Sequence, residues 1–318
     1  MSDSLDDKLE KIPVINVTVR FFKQLKLPGL EGLSFYDLLE LYITGIVKGA
    51  VTTRASAIAF SFFTAIFPFL LFVLIIIPYV PIDDFKMEFL QFLESFLPPS
   101  TSDFFFENIF ENIDQSQRGG LLSSVFLLSI ILMANGVNAV FSGFENSYHE
   151  QLSRNVFKQY IFALGIALIL AFLLILTIIV LGYIQIYVVQ EFFLVLQGRG
   201  YEVDSEGVFW AGVVKYLFFV VMVYIATATL YYFGTREGRN SRFFSIGALF
   251  TTFLIILTSY LFGIYIENFG QYNKLYGSIG ALLILLFYLW LNANILLLGY
   301  ELNASLHFLR KYPKEILD

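Results

Sequence analysis

Two carboxylates, an arginine and several asparagines lie inside or against long apolar stretches of this 318-residue chain, and they are the groups best placed to do chemistry. Asn292, Asn294, Glu301 and Asn303 fall within or beside the apolar run 277–306. A carboxylate at membrane depth costs roughly 2.5–3.5 kcal/mol at a helix centre on insertion scales, so it needs a partner or a task. It can bind a cation or a proton, or it can pair with Arg54 at the head of the first apolar run. Asn294 and Glu301 are seven residues apart and share a helix face about 10.5 Å along the axis, with Asn292, Gly299 and Asn303 on a second face. Counted from the start of the run, Glu301 lies about 36 Å along, near its far edge, where pairing with Arg54 is the favoured reading. The two asparagines sit deeper.

A second constellation comprises Asn135, Asn138, Ser142 and Glu145. Their offsets of 0, 3, 7 and 10 place them within about 80° of one helix face, a polar stripe in a membrane helix. Such a stripe either bonds neighbouring helices together or lines a polar path open to the cytoplasm. Pro68, in the middle of the first run, removes one backbone hydrogen bond and crowds the carbonyl of Thr64. That predicts a kink, serving either packing or a hinge, with Ser61 and Thr64 able to compensate. Lys215, roughly two turns inside the fourth run, is expected to snorkel, with Glu267 as a partner.

Other chemistries lack their residues. There is no Cys, so thiolate catalysis, disulfides and Cys-ligated metals are excluded. His149 and His307 have no metal-ligand spacing, and no nucleophile elbow, P-loop or dinucleotide fingerprint is visible. The net charge of −6 offers no basic footprint for nucleic acid. No enzyme activity, metal or cofactor is therefore expected.

The elements that must carry these residues follow from composition. Hydrophobic residues make up 58% and charged residues 14% of the chain, which marks a polytopic membrane protein. The expected fold is all-α, a six-transmembrane-helix bundle. Six runs reach the ~20 residues needed to cross a bilayer: near 55–81, 121–144, 159–190, 208–233, 243–267 and 277–306. The third exceeds a ~30 Å core and should tilt or protrude. Of the 20 Lys and Arg, fifteen fall in the tail before the first span, the 145–158 and 234–242 loops and the C-terminal end, and four in the alternate loops. Both termini are thus predicted cytoplasmic. The membrane domain is expected over 34–310, between tails at 1–33 and 311–318. No apolar stretch at the start resembles a cleavable signal peptide. Ser34 and Asp37 resemble a capping pair for an interfacial helix with Phe35, Leu38, Leu39, Tyr42, Ile43 and Ile46 on one side. In the outer loop 83–118, phenylalanines at helical spacing on both sides of Pro98 and Pro99 predict two short amphipathic helices.

Three segments carry a resemblance. ASAIAFSFFTAIFPFLLF (55–72), NAVFSGFENSYH (138–149) and, most specifically, FGQYNKLYGSIGALLILLFYLWLNANILLLGYELNA (269–304) resemble the YihY/virulence factor BrkB family, once labelled ribonuclease BN. The resemblance covers most of 35–310. It implies a six-span inner-membrane protein and points toward envelope integrity and movement of lipid or lipid-linked material. Pro68, Tyr272, Asn273, Tyr276, Gly277, Gly280, Glu301 and Asn303 match its motifs.

The functional expectation is a transporter or flippase-like protein for a lipid or amphipathic substrate, with membrane lipids as partners and a polar path between the second and sixth spans. The alternative is a scaffold that recruits an envelope protein through the phenylalanine-rich outer loop from Phe85 to Ile113. A ribonuclease would need acid–base or metal-binding groups at a basic, water-exposed site, and none is evident.

Overall fold

The structure is a computed structural model and describes residues 34, 36, 50–76, 119–145, 155–184, 205–234, 242–269 and 278–311. Six helices long and apolar enough to span a membrane account for nearly all of them. They are α1 (Ala50–Ile76), α2 (Gly119–Glu145), α3 (Val156–Tyr183), α4 (Ser205–Gly234), α5 (Ile246–Phe269) and α6 (Ser278–Lys311). Each corresponds to one predicted span. The interfacial helix beyond Ser34 and Tyr36, the outer loop, His149, Tyr272, Asn273, Tyr276 and Gly277 lie outside the described residues.

The helix ends differ from expectation for a physical reason. α1 begins at Ala50, so Arg54 lies in its second turn and not ahead of the span. A charge interrupts an apolar run on paper, but a paired charge does not interrupt a helix. α1 also runs through Pro68 to Ile76 without a break. The buried Ser129 hydroxyl of α2 donates to the Pro68 carbonyl at 2.6 Å, and Thr64 Oγ1 donates to the Ser61 carbonyl at 3.0 Å. Hydroxyls thus bond carbonyls in the turns around the proline, Thr64 from within α1 and Ser129 from α2. α3 starts at Asn155, whose side chain accepts the Phe157 N–H at 3.1 Å as an N-cap.

Helices consecutive in the chain pack on one another, and α6 returns to pack on α1, which closes a ring in chain order. α2 also reaches inward to touch α4 and α6. Neighbours run antiparallel: Gly143 of α2 lies against Ile58 of α1, and Gly136, two turns earlier, against Phe62. One end of the bundle therefore collects the starts of α1, α3 and α5 and the finishes of α2, α4 and α6. It is the end where Arg54, Lys158, Arg242, Arg310 and Lys311 fall, and is called the basic end below.

Burial is concentrated at that end. Within the six helices, the buried positions lie at 51–65, 129–144, 159–171, 222–234, 247–252 and 293–306, with Gly280 apart from them. At 1.5 Å per residue the packed layer is about 20 Å deep on most helices. Its centre is aromatic: Phe144 stacks on Tyr300 with centroids 4.2 Å apart, and Tyr231 meets both edge-on at 5.6 and 6.0 Å. Towards the other end fewer of the described side chains are buried, and from Gly212 to Val221 α4 has no buried position, although α5 and α6 still touch there through Ser259 Oγ and the Tyr288 hydroxyl, 2.6 Å apart.

Candidate functional site

Glu301 and Arg54 are joined. Arg54 Nη2 donates to Glu301 Oε1 at 3.0 Å, and the two side chains are only 12% and 10% exposed. Arg54 Nη1 also donates to the Gly143 carbonyl at 2.7 Å. That carbonyl lies near the finish of α2, where the negative end of the helix dipole favours a cation. One guanidinium thus neutralises a carboxylate from α6 and a helix terminus from α2. The fork of a guanidinium suits two acceptors in different directions, which an ammonium serves less well.

The residues around Glu301 each address a different neighbour, as 100° steps around a surrounded helix require. Gly299 lets α6 approach α5 so closely that a side chain there would run into Thr251 Oγ1 and the Tyr231 hydroxyl. The Tyr231 hydroxyl donates to the Leu296 carbonyl at 2.7 Å and shares a hydrogen bond of 2.6 Å with Thr251 Oγ1. Tyr300 stacks on Phe144. Asn303 accepts the Gly247 N–H at 2.8 Å and donates to Ser245 Oγ at 2.8 Å, while Ser245 accepts the Ala248 N–H at 3.2 Å. The exposed N–H groups of the first turn of α5 are therefore capped partly by α5's own serine and partly by a side chain of α6.

Asn292 and Asn294 have local roles. Their amides donate to carbonyls one turn back, Asn292 to Tyr288 and Asn294 to Trp290, each at 2.8 Å. Both are half-buried, and the Asn292 Oδ1 is enclosed without a hydrogen-bond partner among the described residues.

The stripe on α2 points elsewhere. Ser129, Met133, Val137, Val140, Phe141 and Phe144 bury the face that meets the core. Asn135, Asn138, Ser142 and Glu145 lie away from that face: Asn135 is exposed and the other three are half-buried. The expected path between α2 and α6 is not assembled by these residues: Glu301 and Asn303 bond within the core, Asn292 and Asn294 bond carbonyls of their own helix, and on α2 only Asn135 is exposed, while Ser142 lies against α3 and the Glu145 Oε1 is enclosed. On the α3 side the buried Gln159 reaches Ser142 Oγ at 3.4 Å and the Tyr160 hydroxyl donates to the Ile131 carbonyl at 3.1 Å.

Lys215 is half-buried in the half of α4 away from the basic end, and the side chain of Glu267 lies outside the description. Gly280 is buried near the far end of α6 and His307 is half-buried near its finish. Sequence reasoning missed Gln159, Ser245, Thr251, Ser129 and Tyr231. Ser245 carried a signal, a serine directly ahead of an apolar run, which is a helix-start pattern. The others sit in apolar runs where only the fold identifies their partners.

Fold and site define a polytopic α-helical membrane protein with a charged hub at one end. The model of the family described as Virulence factor BrkB matches residues 43–315, and the chain belongs to that family. It is similar to a ribonuclease-like protein, YfkH, of Bacillus subtilis (strain 168), with 27% identity over 268 residues, 83% of this chain and 92% of that relative. Shorter similarity links it to a UPF0761 membrane protein of Psychrobacter sp. (strain PRwf-1), 31% identical over 114 residues, 36% of this chain and 20% of the relative. A UPF0761 membrane protein of Xanthomonas oryzae pv. oryzae (strain PXO99A) is 37% identical over 68 residues, 21% of this chain and 16% of the relative. The chain thus spans only a small part of the two UPF0761 relatives. No solved structure matches.

Proposed function

We propose that this protein moves a lipid or other amphipathic molecule across the cell membrane, the inner membrane of the envelope, with the basic end on the cytoplasmic side. The polar headgroup follows the outward stripe of α2 while the acyl chains stay in the surrounding bilayer. The observation that supports this reading is the exposure of Asn135 on the side of α2 away from the core. It lies ten residues from the end of the helix, about 15 Å in and near mid-membrane. An amide facing hydrocarbon without a partner is costly, and headgroups sliding past would satisfy it. Asn135 and Asn138 provide polar stations about 4.5 Å apart along the axis, and Ser142, bonded by Gln159 of α3, continues the row toward the basic end.

A photoreactive headgroup probe on a phospholipid tests the placement. Illumination of the reconstituted protein should crosslink it to α2 around Asn135 and Asn138. Adducts at the opposite face, around Val137 and Phe141, or none on α2, would contradict the route. The ribonuclease-like name of the Bacillus relative suggests another reaction, and RNA offered to the same purified protein is the control for it.

A further inference from the structure

We infer that a polar notch where α2 meets α3, around Asn135 and Asn138, selects lipids whose headgroup is uncharged and rich in hydroxyls, neutral glycolipids, over lipids with an anionic headgroup. This preference rests on the lipid route proposed above and names the headgroup that fits it. Ile131, Asn135, Asn138 and Ser142 stand at offsets of 0, 4, 7 and 11, within about 60° of one face of α2. Adjacent residues of α3 bond the two ends of this row. The Tyr160 hydroxyl donates to the Ile131 carbonyl at 3.1 Å, and Gln159 Nε2 donates to Ser142 Oγ at 3.4 Å. Asn135 and Asn138 lie between those contacts, and neither amide has a hydrogen-bond partner among the described residues. Asn135 is exposed, and Asn138 and Tyr160 are half-buried. The row is about 16.5 Å long, with α3 as one wall and the side of Asn135 open.

The chemistry of the notch is uncharged on both walls. Each amide offers N–H donors and a carbonyl acceptor, and the Tyr160 oxygen, with its proton given to Ile131, can still accept. Sugar hydroxyls both donate and accept, so they can pair with all of these groups. A phosphate only accepts, and it brings a negative charge. α2 contains no Lys or Arg, and α3 contains only Lys158, exposed at its basic-end start. Neither wall therefore supplies a cation between Ile131 and Ser142. A charge at membrane depth stays costly without a partner, whereas a hydroxyl is costly only until it is hydrogen-bonded.

Two photoreactive lipids test the preference, a glucosyl diacylglycerol and a phosphatidylglycerol, with the same acyl chains and the reactive group on the headgroup. Each is placed at the same mole fraction in phosphatidylcholine vesicles holding the full-length protein, and adducts are mapped by mass spectrometry. The glucosyl probe should label the chain around Asn135, Asn138 and Tyr160 several-fold more than the anionic probe. Asn135→Leu/Asn138→Leu should lower the glucosyl labelling several-fold and change the anionic labelling little. Equal labelling by the two probes, or more by the anionic one, would overturn the inference while leaving the lipid route in place. Glucosyl labelling undiminished in a folded double variant would overturn it as well. Adducts of neither probe on α2 would remove the notch and the route together. The comparison of probes on the wild-type protein needs no variant. Labelling reads binding alone, so a glucosyl preference without any lipid exchange would support the notch and contradict transport.

Discussion

At the scale of single residues, the segment from Gly299 to Asn303 ties α6 to three helices. Gly299 admits α5, Tyr300 meets α2, Glu301 binds α1 and Asn303 caps α5. Truncating each should therefore have its own signature. Asn303→Ala removes a trans cap and should cost about 1 kcal/mol of stability, in the range of other helix caps. Glu301→Ala removes the carboxylate bonded to the buried Arg54 guanidinium and should cost more, about 3–5 kcal/mol, while Arg54→Met/Glu301→Met recovers most of the loss. Thermal or denaturant unfolding of the purified variants in one detergent gives the ranking. A Glu301→Ala cost no larger than that of Asn303→Ala would show that Arg54 finds compensation elsewhere. The Arg54–Glu301 pair was legible in the sequence because the chain has few charges near its spans and these two share a level once the basic-residue count orients the helices. The partners of Asn303 and Gly299 were not, since hydrogen bonds to a backbone N–H and close helix approach depend on which helix happens to lie alongside.

At the scale of elements, α1 and α2 show what periodicity can and cannot tell. The 3.6-residue period correctly groups Asn135, Asn138, Ser142 and Glu145 on one side, but it does not say whether that side meets the core. Volume decides: Met133, Val137, Phe141 and Phe144 fill the interior better than amides, and the stripe runs from the exposed Asn135 to Ser142 against α3. The start of α1 was missed because Arg54 reads as the end of an apolar run until its acceptors are known. The α1–α2 contact also holds a specific bond, from the fully buried Ser129 Oγ to the carbonyl of the half-buried Pro68. Ser129→Ala should lower stability by about 1 kcal/mol, the usual net value of a hydrogen bond. If the proline serves as a hinge, Pro68→Ala should slow lipid movement without lowering the unfolding midpoint. A variant with unchanged transport would assign Pro68 to packing alone.

At the scale of the whole molecule, six helices close a ring whose buried residues, among those described, gather toward the basic end. The number of spans follows from apolar runs of sufficient length, which is why it was readable without a structure. The uneven burial was not readable, because α4 is about as apolar in its exposed half as in its buried one: Val213, Val214, Leu217 and Phe219 are exposed, whereas Met222, Ala228 and Leu230 are buried. The proposed route for lipid lies on the side of α2 that carries Asn135, away from the Arg54–Glu301 pair. Lipid movement in vesicles is the most direct test of the track. Wild-type protein and Asn135→Leu/Asn138→Leu are reconstituted at equal density and the inward and outward exchange of a fluorescent phospholipid is timed. Loss of two polar stations, each worth about 1 kcal/mol, should slow exchange by about tenfold or more while the double variant keeps its unfolding midpoint. Exchange by the double variant at the wild-type rate, or by neither protein above empty vesicles, would contradict the account.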